Sequence, residues 1–458
     1  MEFVGRKTEL ERLEKEYNKD SASFIVIYGR RRIGKTRLIE EFLKNKKEQM
    51  YYLASDETDS LQIKEIKTTI GNFLKDEFMI NQEFADWKSF FSYLEKVWPK
   101  EKKIILAIDE LTFILKNNQS FSSYLQQFWD IFLTKTKTKL ILSGSSVGLM
   151  LKDVLGGGSP LYGRRTSEIF LEELKLKEVK EFLEESTENT IKFFSILGGI
   201  PKYLELVNED FDIFIEEIFD KRSFFYREGL YLMTEEFKDI ATYSNILRAI
   251  AEGKTKLNEI AGYCNIESKN ISAYLSILEN IGFVQEEIPV TKKEKKFRGK
   301  HYLIKDSFLE FWFKFINKNR SLIEMDKKDI VIRNNANEIN SFIGKKFEKA
   351  CIQFVIYSKI FQFTKIGKEW GQKINNRETY EIDIVALDEN KKEASFIECK
   401  WSNLNYLEAK KILEELKEKS KNVIWERKKE YFCIIAKKLK DKQKLRTEGY
   451  LVFDLEDF

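Results

Sequence analysis

Three groups of residues in this sequence have the types and spacing to do chemistry. The first, Gly29-Arg30-Arg31-Arg32-Ile33-Gly34-Lys35-Thr36, follows the pattern G-x-x-x-x-G-K-[ST]. Its glycines let the backbone N–H groups of Gly29 through Thr36 close around an anion, and a helix starting there adds its dipole. Lys35 is expected to reach the β- and γ-phosphates of ATP, and the Thr36 hydroxyl to ligand Mg2+. The second group is Asp109-Glu110, delivered by the apolar run Ile104–Ile108. Asp109 is expected to hold Mg2+, directly or through water, and Glu110 to orient and deprotonate an attacking water, which favours hydrolysis over nucleotide storage. Solvated Asp-Glu pairs rarely follow so apolar a run. The third group is Asp383 together with Glu398-Cys399-Lys400. Two carboxylates on neighbouring strands, with a lysine on the same face, can converge on one divalent ion and a water. Phosphodiester hydrolysis needs that arrangement.

These groups need elements to position them. Ser23–Tyr28 reads as a buried strand and Thr36–Lys44 as the helix after it; Lys103–Ile108 and Lys139–Leu142 read as further strands. Apolar strands alternating with helices imply a parallel sheet covered on both faces. The strand at Leu140–Leu142 ends in Ser143-Gly144-Ser145-Ser146, which puts Ser143 beside the γ-phosphate; an ordinary Ser/Gly turn reads equally well. From Leu171 to Met233 the pattern is helical. Residues Ile246–Ala251, Leu257–Tyr263 and Ser268–Ile281 then read as three helices leading into a strand at Gly282-Phe283-Val284, the order of a winged helix-turn-helix. Lys269, Asn270, Ser272 and Tyr274 begin its recognition helix. A candidate wing carries Lys292, Lys293, Lys295, Lys296, Arg298 and Lys300. These cations could bind DNA phosphates or simply solvate an edge hairpin, and both readings stand. Residues 317–337, polar, charged and helical in pattern, read as a connector. Beyond it, Glu381–Leu387, Ala394–Glu398 and Tyr431–Ala436 return to strands.

With these motifs in view, the sequence resembles the archaeal-type, AAA-related (STAND-like) P-loop ATPases. Phe3-Val4-Gly5-Arg6-Lys7-Thr8-Glu9-Leu10, the Gly29–Thr36 loop, Asp109-Glu110 and Leu142–Ser146 carry the resemblance, and Gly198-Gly199-Ile200-Pro201-Lys202-Tyr203-Leu204 looks like that family's lid motif. The resemblance implies that Gly5-Arg6 borders the adenine and that the lid closes over the nucleotide. Arg164 or Arg165, after the Gly156-Gly157-Gly158 loop, could reach the γ-phosphate as an arginine finger, in cis or across a subunit contact; a solvated pair is the equal alternative. The C-terminal pattern is similar to the restriction-endonuclease-like nucleases, in which a helix glutamate completes the site. Glu348 occupies that place, and Ile366-Gly367-Lys368-Glu369-Trp370 matches a segment that such ATPases often carry there.

The expected architecture is therefore α/β: a parallel-sheet P-loop ATPase core (1–170), a helical lid (171–235), a winged helix-turn-helix (236–316), a connector (317–337) and a nuclease-like α/β domain (338–458). Composition agrees, since 458 residues exceed one core and 43% hydrophobic with 34% charged residues is a globular balance. With 79 Lys+Arg against 75 Asp+Glu, nucleic-acid affinity must come from local patches. Scattered Cys264, Cys351, Cys399 and Cys433 exclude a disulfide framework, and a single histidine, His301, excludes His-rich metal sites and a Ser-His-Asp triad. No apolar run reaches membrane-spanning length, and a cytoplasmic location is expected. The expected function is ATP hydrolysis coupled to DNA binding or processing, with a homo-oligomer or protein partner open. The alternative is a nucleotide-dependent switch binding protein partners, its C-terminal domain inert.

Overall fold

The computed structural model describes residues 3–207, 210–292, 297, 299–374 and 378–458. It divides into two compact units, residues 1–173 with 200–202 and residues 174–199 with 203–458.

The first unit is built on a parallel sheet of strands β1 (Ser23–Tyr28), β2 (Gln49–Leu53), β3 (Ile105–Asp109), β4 (Lys139–Gly144) and β5 (Ser167–Phe170), ordered β2-β3-β4-β1-β5. The three central strands are buried along their whole length, as a sheet covered by helices on both faces requires. Register places Ile25 beside Ile141 and Ala107 beside Ile141 on its other side. The helices Trp87–Val97 and Phe121–Ile131 pack through aromatic rings: Phe91 stacks on Phe128 at 5.0 Å and Trp87 meets Phe121 edge-on at 4.8 Å. The sequence gives no continuous apolar signal for β2 and β5. They are the sheet's outer strands, and their burial alternates.

In the second unit, helices Leu176–Leu183, Thr187–Leu197, Phe211–Ile218 and Phe224–Glu236 precede a helix-turn-helix. Its helices Ile240–Ala251, Leu257–Cys264 and Ser268–Asn280 lead into the antiparallel hairpin β6 (Val284–Glu287) and β7 (His301–Ile304). Of the cations expected on the wing, Lys293, Lys295, Lys296 and Arg298 lie outside the described residues; Lys292 is exposed and Lys300 pairs with Glu286. The expected connector is helical, and its C-terminal end continues into the next domain. Lys328–Ser358 is one 31-residue helix that buries Val331, Ile339, Phe342, Ile343 and Phe347 along it, so the boundary placed at 337 falls inside a continuous element.

The last sheet is mixed, ordered β12-β11-β10-β9-β8, from β8 (Lys365–Gln372), β9 (Thr379–Asp388), β10 (Glu393–Leu404), β11 (Lys429–Leu439) and β12 (Leu451–Phe453). β8, β9 and β10 run antiparallel; β10, β11 and β12 run parallel, with helix Tyr406–Ser420 as the crossover from β10 to β11. The wing's root is fastened to the edge strand β8. Val290 N–H donates to the Lys368 carbonyl at 2.9 Å, and Thr291 donates through N–H and hydroxyl to the buried Glu369 carboxylate at 3.1 and 2.9 Å. His301 stacks on Trp370 at 4.8 Å. Among the described residues no helix is long and apolar enough to cross a membrane. The four cysteines are free thiols, with Cys351, Cys399 and Cys433 buried.

Gly199 shows why a glycine stands in Gly198-Gly199-Ile200-Pro201. Leu174 N–H donates to its carbonyl at 2.8 Å, and a Cβ on Gly199 would lie 1.9 Å from the Leu174 carbonyl oxygen. Backbone cannot yield as a side-chain tip can, so Gly199→Ala is expected to cost on the order of 3 kcal/mol. A fall in the urea midpoint without a change in slope checks this.

Candidate functional site

The loop between β1 and the helix Lys35–Leu43 begins at Gly29, where a Cβ would come within 2.5 Å of the Leu171 carbonyl oxygen. Arg32 (φ 66°) and Gly34 (φ 93°) hold the left-handed backbone that turns the loop into the helix. Lys35 is buried, and its ammonium donates to the carbonyls of Gly29 and Arg30, both at 3.0 Å, so it lies across the mouth of its own loop. Arg6 donates to the Ile33 carbonyl at 3.0 Å and bonds the N-terminal segment to the loop. Arg31 turns its guanidinium over the Phe113 ring. From the segment Ile200–Lys202, which belongs to the same unit, Lys202 N–H donates to the Arg32 carbonyl at 3.5 Å.

Strand β3 brings Asp109 to the loop. Fully buried, its carboxylate accepts from the Thr36 hydroxyl at 2.6 Å, from the Tyr51 hydroxyl at 2.8 Å and from the Glu110 N–H at 3.0 Å. Burial first, then the Asp109 charge, pushes the Tyr51 phenol well above its usual range, so it stays a donor. Glu110 has a left-handed backbone (φ 53°), and its carboxylate accepts from Ser145 at 2.6 Å and more weakly from Thr112 at 3.4 Å. Ser143, expected beside the γ-phosphate, has a buried hydroxyl with no hydrogen-bond partner, whereas Ser145 is the strand-end hydroxyl that reaches the glutamate. Tyr51 carries no motif, and within Leu142–Ser146 the expectation falls on Ser143 rather than Ser145. Only the register of β2 and β4 against β3 reveals them. Of the two finger candidates, Arg164 donates to Asp130 through bonds of 2.7 to 3.0 Å and to the carbonyl of Pro160, and Arg165 pairs with Glu168 at 2.6 Å.

These residues fit a magnesium nucleotide. Hard oxygen donors from Thr36 and Asp109 converge, a lysine is drawn into the loop, and amides at a helix start face the same place.

The C-terminal candidates come together around β9 and β10. Asp383 accepts from the Cys399 N–H at 2.8 Å, and Lys400 Nζ lies 3.6 Å from Asp383 and 2.7 Å from Glu398. The other oxygen of Glu398 accepts from Lys419, of helix Tyr406–Ser420, at 2.7 Å. Glu348, from the long helix, pairs with Lys368 of β8 at 3.1 Å, and Lys368 also pairs with Glu381 at 2.6 Å. Burial, then the neighbouring Glu398 and Glu348 charges, pushes the Asp383 carboxyl up to about 7. Burial also raises Glu348, against the pull of Lys368. For Glu398, burial is outweighed by Lys400 and Lys419, which hold it below the usual carboxylate range. Among the described residues no three carboxylate, thiol or imidazole groups converge on one metal position. Lys368 and Lys419 were not foreseen, since each pairs with a residue at least twenty positions away in sequence.

Three family models match parts of the chain. Residues 3–207 match the model of an ATPase domain predominantly from Archaea, residues 242–286 that of bacterial regulatory proteins of the arsR family, and residues 312–412 that of archaeal and bacterial proteins of unknown function. A solved Walker-type ATPase of Pyrococcus abyssi shares the fold, with a TM-score of 0.52 at 22% identity, covering 68% of this chain and 96% of that one. An uncharacterised ATP-binding protein of Methanocaldococcus jannaschii is 60% identical over 45 residues, covering 10% of this chain and 76% of that one. Another uncharacterised protein of that organism is 37% identical over 463 residues, covering the whole of both chains. The chain belongs to the same family as that full-length relative, a family with an archaeal P-loop ATPase domain followed by a helix-turn-helix.

Proposed function

We propose that the chain hydrolyses ATP in its first unit and that the nucleotide state governs how the second unit engages DNA. The observation that carries the ATPase reading is the 2.6 Å bond from Thr36 to Asp109 across the mouth of the loop. Loop amides and Lys35 take the β- and γ-phosphates, Thr36 and Asp109 hold the magnesium ion, and Glu110 draws a proton from the attacking water. That ion, when bound, neutralises charge developing on the phosphate oxygens. The Ser145 hydroxyl, donating to Glu110 at 2.6 Å, orients that carboxylate. The segment Ile200–Lys202 touches the loop and is covalently continuous with the second unit on both sides, which gives nucleotide state a path along the chain.

DNA engagement is supported by the arsR-type helix-turn-helix match and by Lys269, Asn270 and Ser272, all exposed at the start of the recognition helix. For the acidic cluster the reading is phosphodiester hydrolysis, with Asp383 and Glu398 holding a divalent ion, Glu348 completing the set and Lys400 beside the attacked phosphate. The ion would lower the pKa of the attacking water. A second reading is favoured by one observation: both Glu398 oxygens already accept from lysines. On it, the cluster binds without cutting.

Lys35→Ala is expected to abolish ATP turnover, and retention of wild-type turnover would disprove the loop assignment. Glu110→Gln should still retain nucleotide while turnover falls about 100-fold or more, measured by phosphate release beside nucleotide binding. Duplex and single-stranded DNA incubated with Mg2+ or Mn2+ separates the two readings of the cluster. Strand breaks lost in Asp383→Ala and Lys400→Ala support hydrolysis; no breaks with any DNA form leave binding alone.

A further inference from the structure

Glu398 is nearly sequestered from solvent, its side chain only 3% exposed, yet it is charged and meets two ammonium groups, one on each oxygen, at 2.7 Å. The two lysines come from different elements: Lys400 from β10, Lys419 from the end of helix Tyr406–Ser420. Each keeps about a third of its side chain exposed, 35% and 34%. An ammonium group has three donors, and Glu398 takes one from each, so both lysines are oriented with donors to spare. Burying a carboxylate is costly unless it is fully paired. Here the pairing also fixes two flexible cations side by side.

Neither oxygen of Glu398 is left for another cation. Lys368 stands against both Glu348 and Glu381, at 3.1 and 2.6 Å, and Lys400 lies 3.6 Å from Asp383 as well as 2.7 Å from Glu398. Two ammonium groups thus share the Glu398 carboxylate, one on each oxygen. A divalent ion would have to strip a lysine from an oxygen it already holds, whereas an anion would add to donors that are free and oriented.

We propose that Lys400 and Lys419, aligned by Glu398, form a phosphodiester-binding pair that holds a nucleic-acid backbone without a divalent ion. This assigns Lys419, and it makes Glu398 a positioning residue for two cations. The proposal rests on the reading that the second unit engages DNA, not on cleavage.

The test is fluorescence anisotropy of a fluorescein-labelled duplex with the full-length chain in EDTA, over a series of KCl concentrations. Wild type is expected to bind. Lys419→Gln and Lys400→Gln should each weaken binding several-fold and lower the slope of log K against log salt by about one. Lys419→Arg should keep most of the affinity. Lys411→Gln, at a lysine 78% exposed elsewhere on the helix that carries Lys419, should change neither quantity and controls for general charge loss. Melting temperatures confirm that the variants are folded, and Lys400→Gln serves alone if Lys419→Gln is not. Lysine variants that bind like Lys411→Gln overturn the proposal alone, as does wild-type binding that needs added Mg2+ or Mn2+. Wild type that binds no DNA under any condition removes the DNA reading of the second unit together with it.

Discussion

The first unit depends on one buried carboxylate. Asp109 has no contact with solvent and gathers three donors at once: a hydroxyl from the helix after the loop, a phenol from the neighbouring strand and the amide that follows it. Each donor comes from a different element, so the carboxylate can be satisfied only when β2, β3 and the loop helix are in register. Low local dielectric strengthens such bonds and penalises any that is missing. The parallel sheet earns its precision at its C-terminal edge in this way, where chain reversals leave main-chain donors pointing at one place.

The second unit solves a different electrostatic problem. It buries acidic side chains beside a sheet and matches them with lysines drawn from three elements: Lys368 from β8, Lys400 from β10 and Lys419 from a helix. Asp383 is the exception, with its carboxyl displaced toward neutrality by burial and by two acidic neighbours. Such displacement marks a group whose protonation is set by its surroundings rather than by solvent.

Much of this was legible in the sequence where the chemistry is local. The phosphate loop, the Asp109-Glu110 pair and the Glu398-Cys399-Lys400 strand each announce themselves within a few residues, and the fully buried strands β1, β3 and β4 read as continuous apolar runs. What escaped depended on tertiary neighbours. Tyr51 and Lys419 look like ordinary surface residues until register or packing brings them to a carboxylate. Arg164 finds its partner, Asp130, on a separate helix. Residues 317–337 read as a connector because their charge hides a sparse buried stripe in which Ile323, Val331 and Asn335 are the inward positions before the apolar stretch begins. The outer strands β2, β5 and β8 were missed because half-exposed edges need few apolar residues.

The joint between the hairpin β6–β7 and strand β8 has a mechanical meaning. Main-chain, carboxylate and ring-stacking contacts all meet along Lys368, Glu369 and Trp370. Force applied to the hairpin must therefore arrive as shear on the sheet's margin, where only β9 lies alongside to resist it. The same clasp occupies a main-chain acceptor that an unguarded border would offer to a strand from another molecule. A tether that transmits load thus doubles as a guard against unwanted self-association.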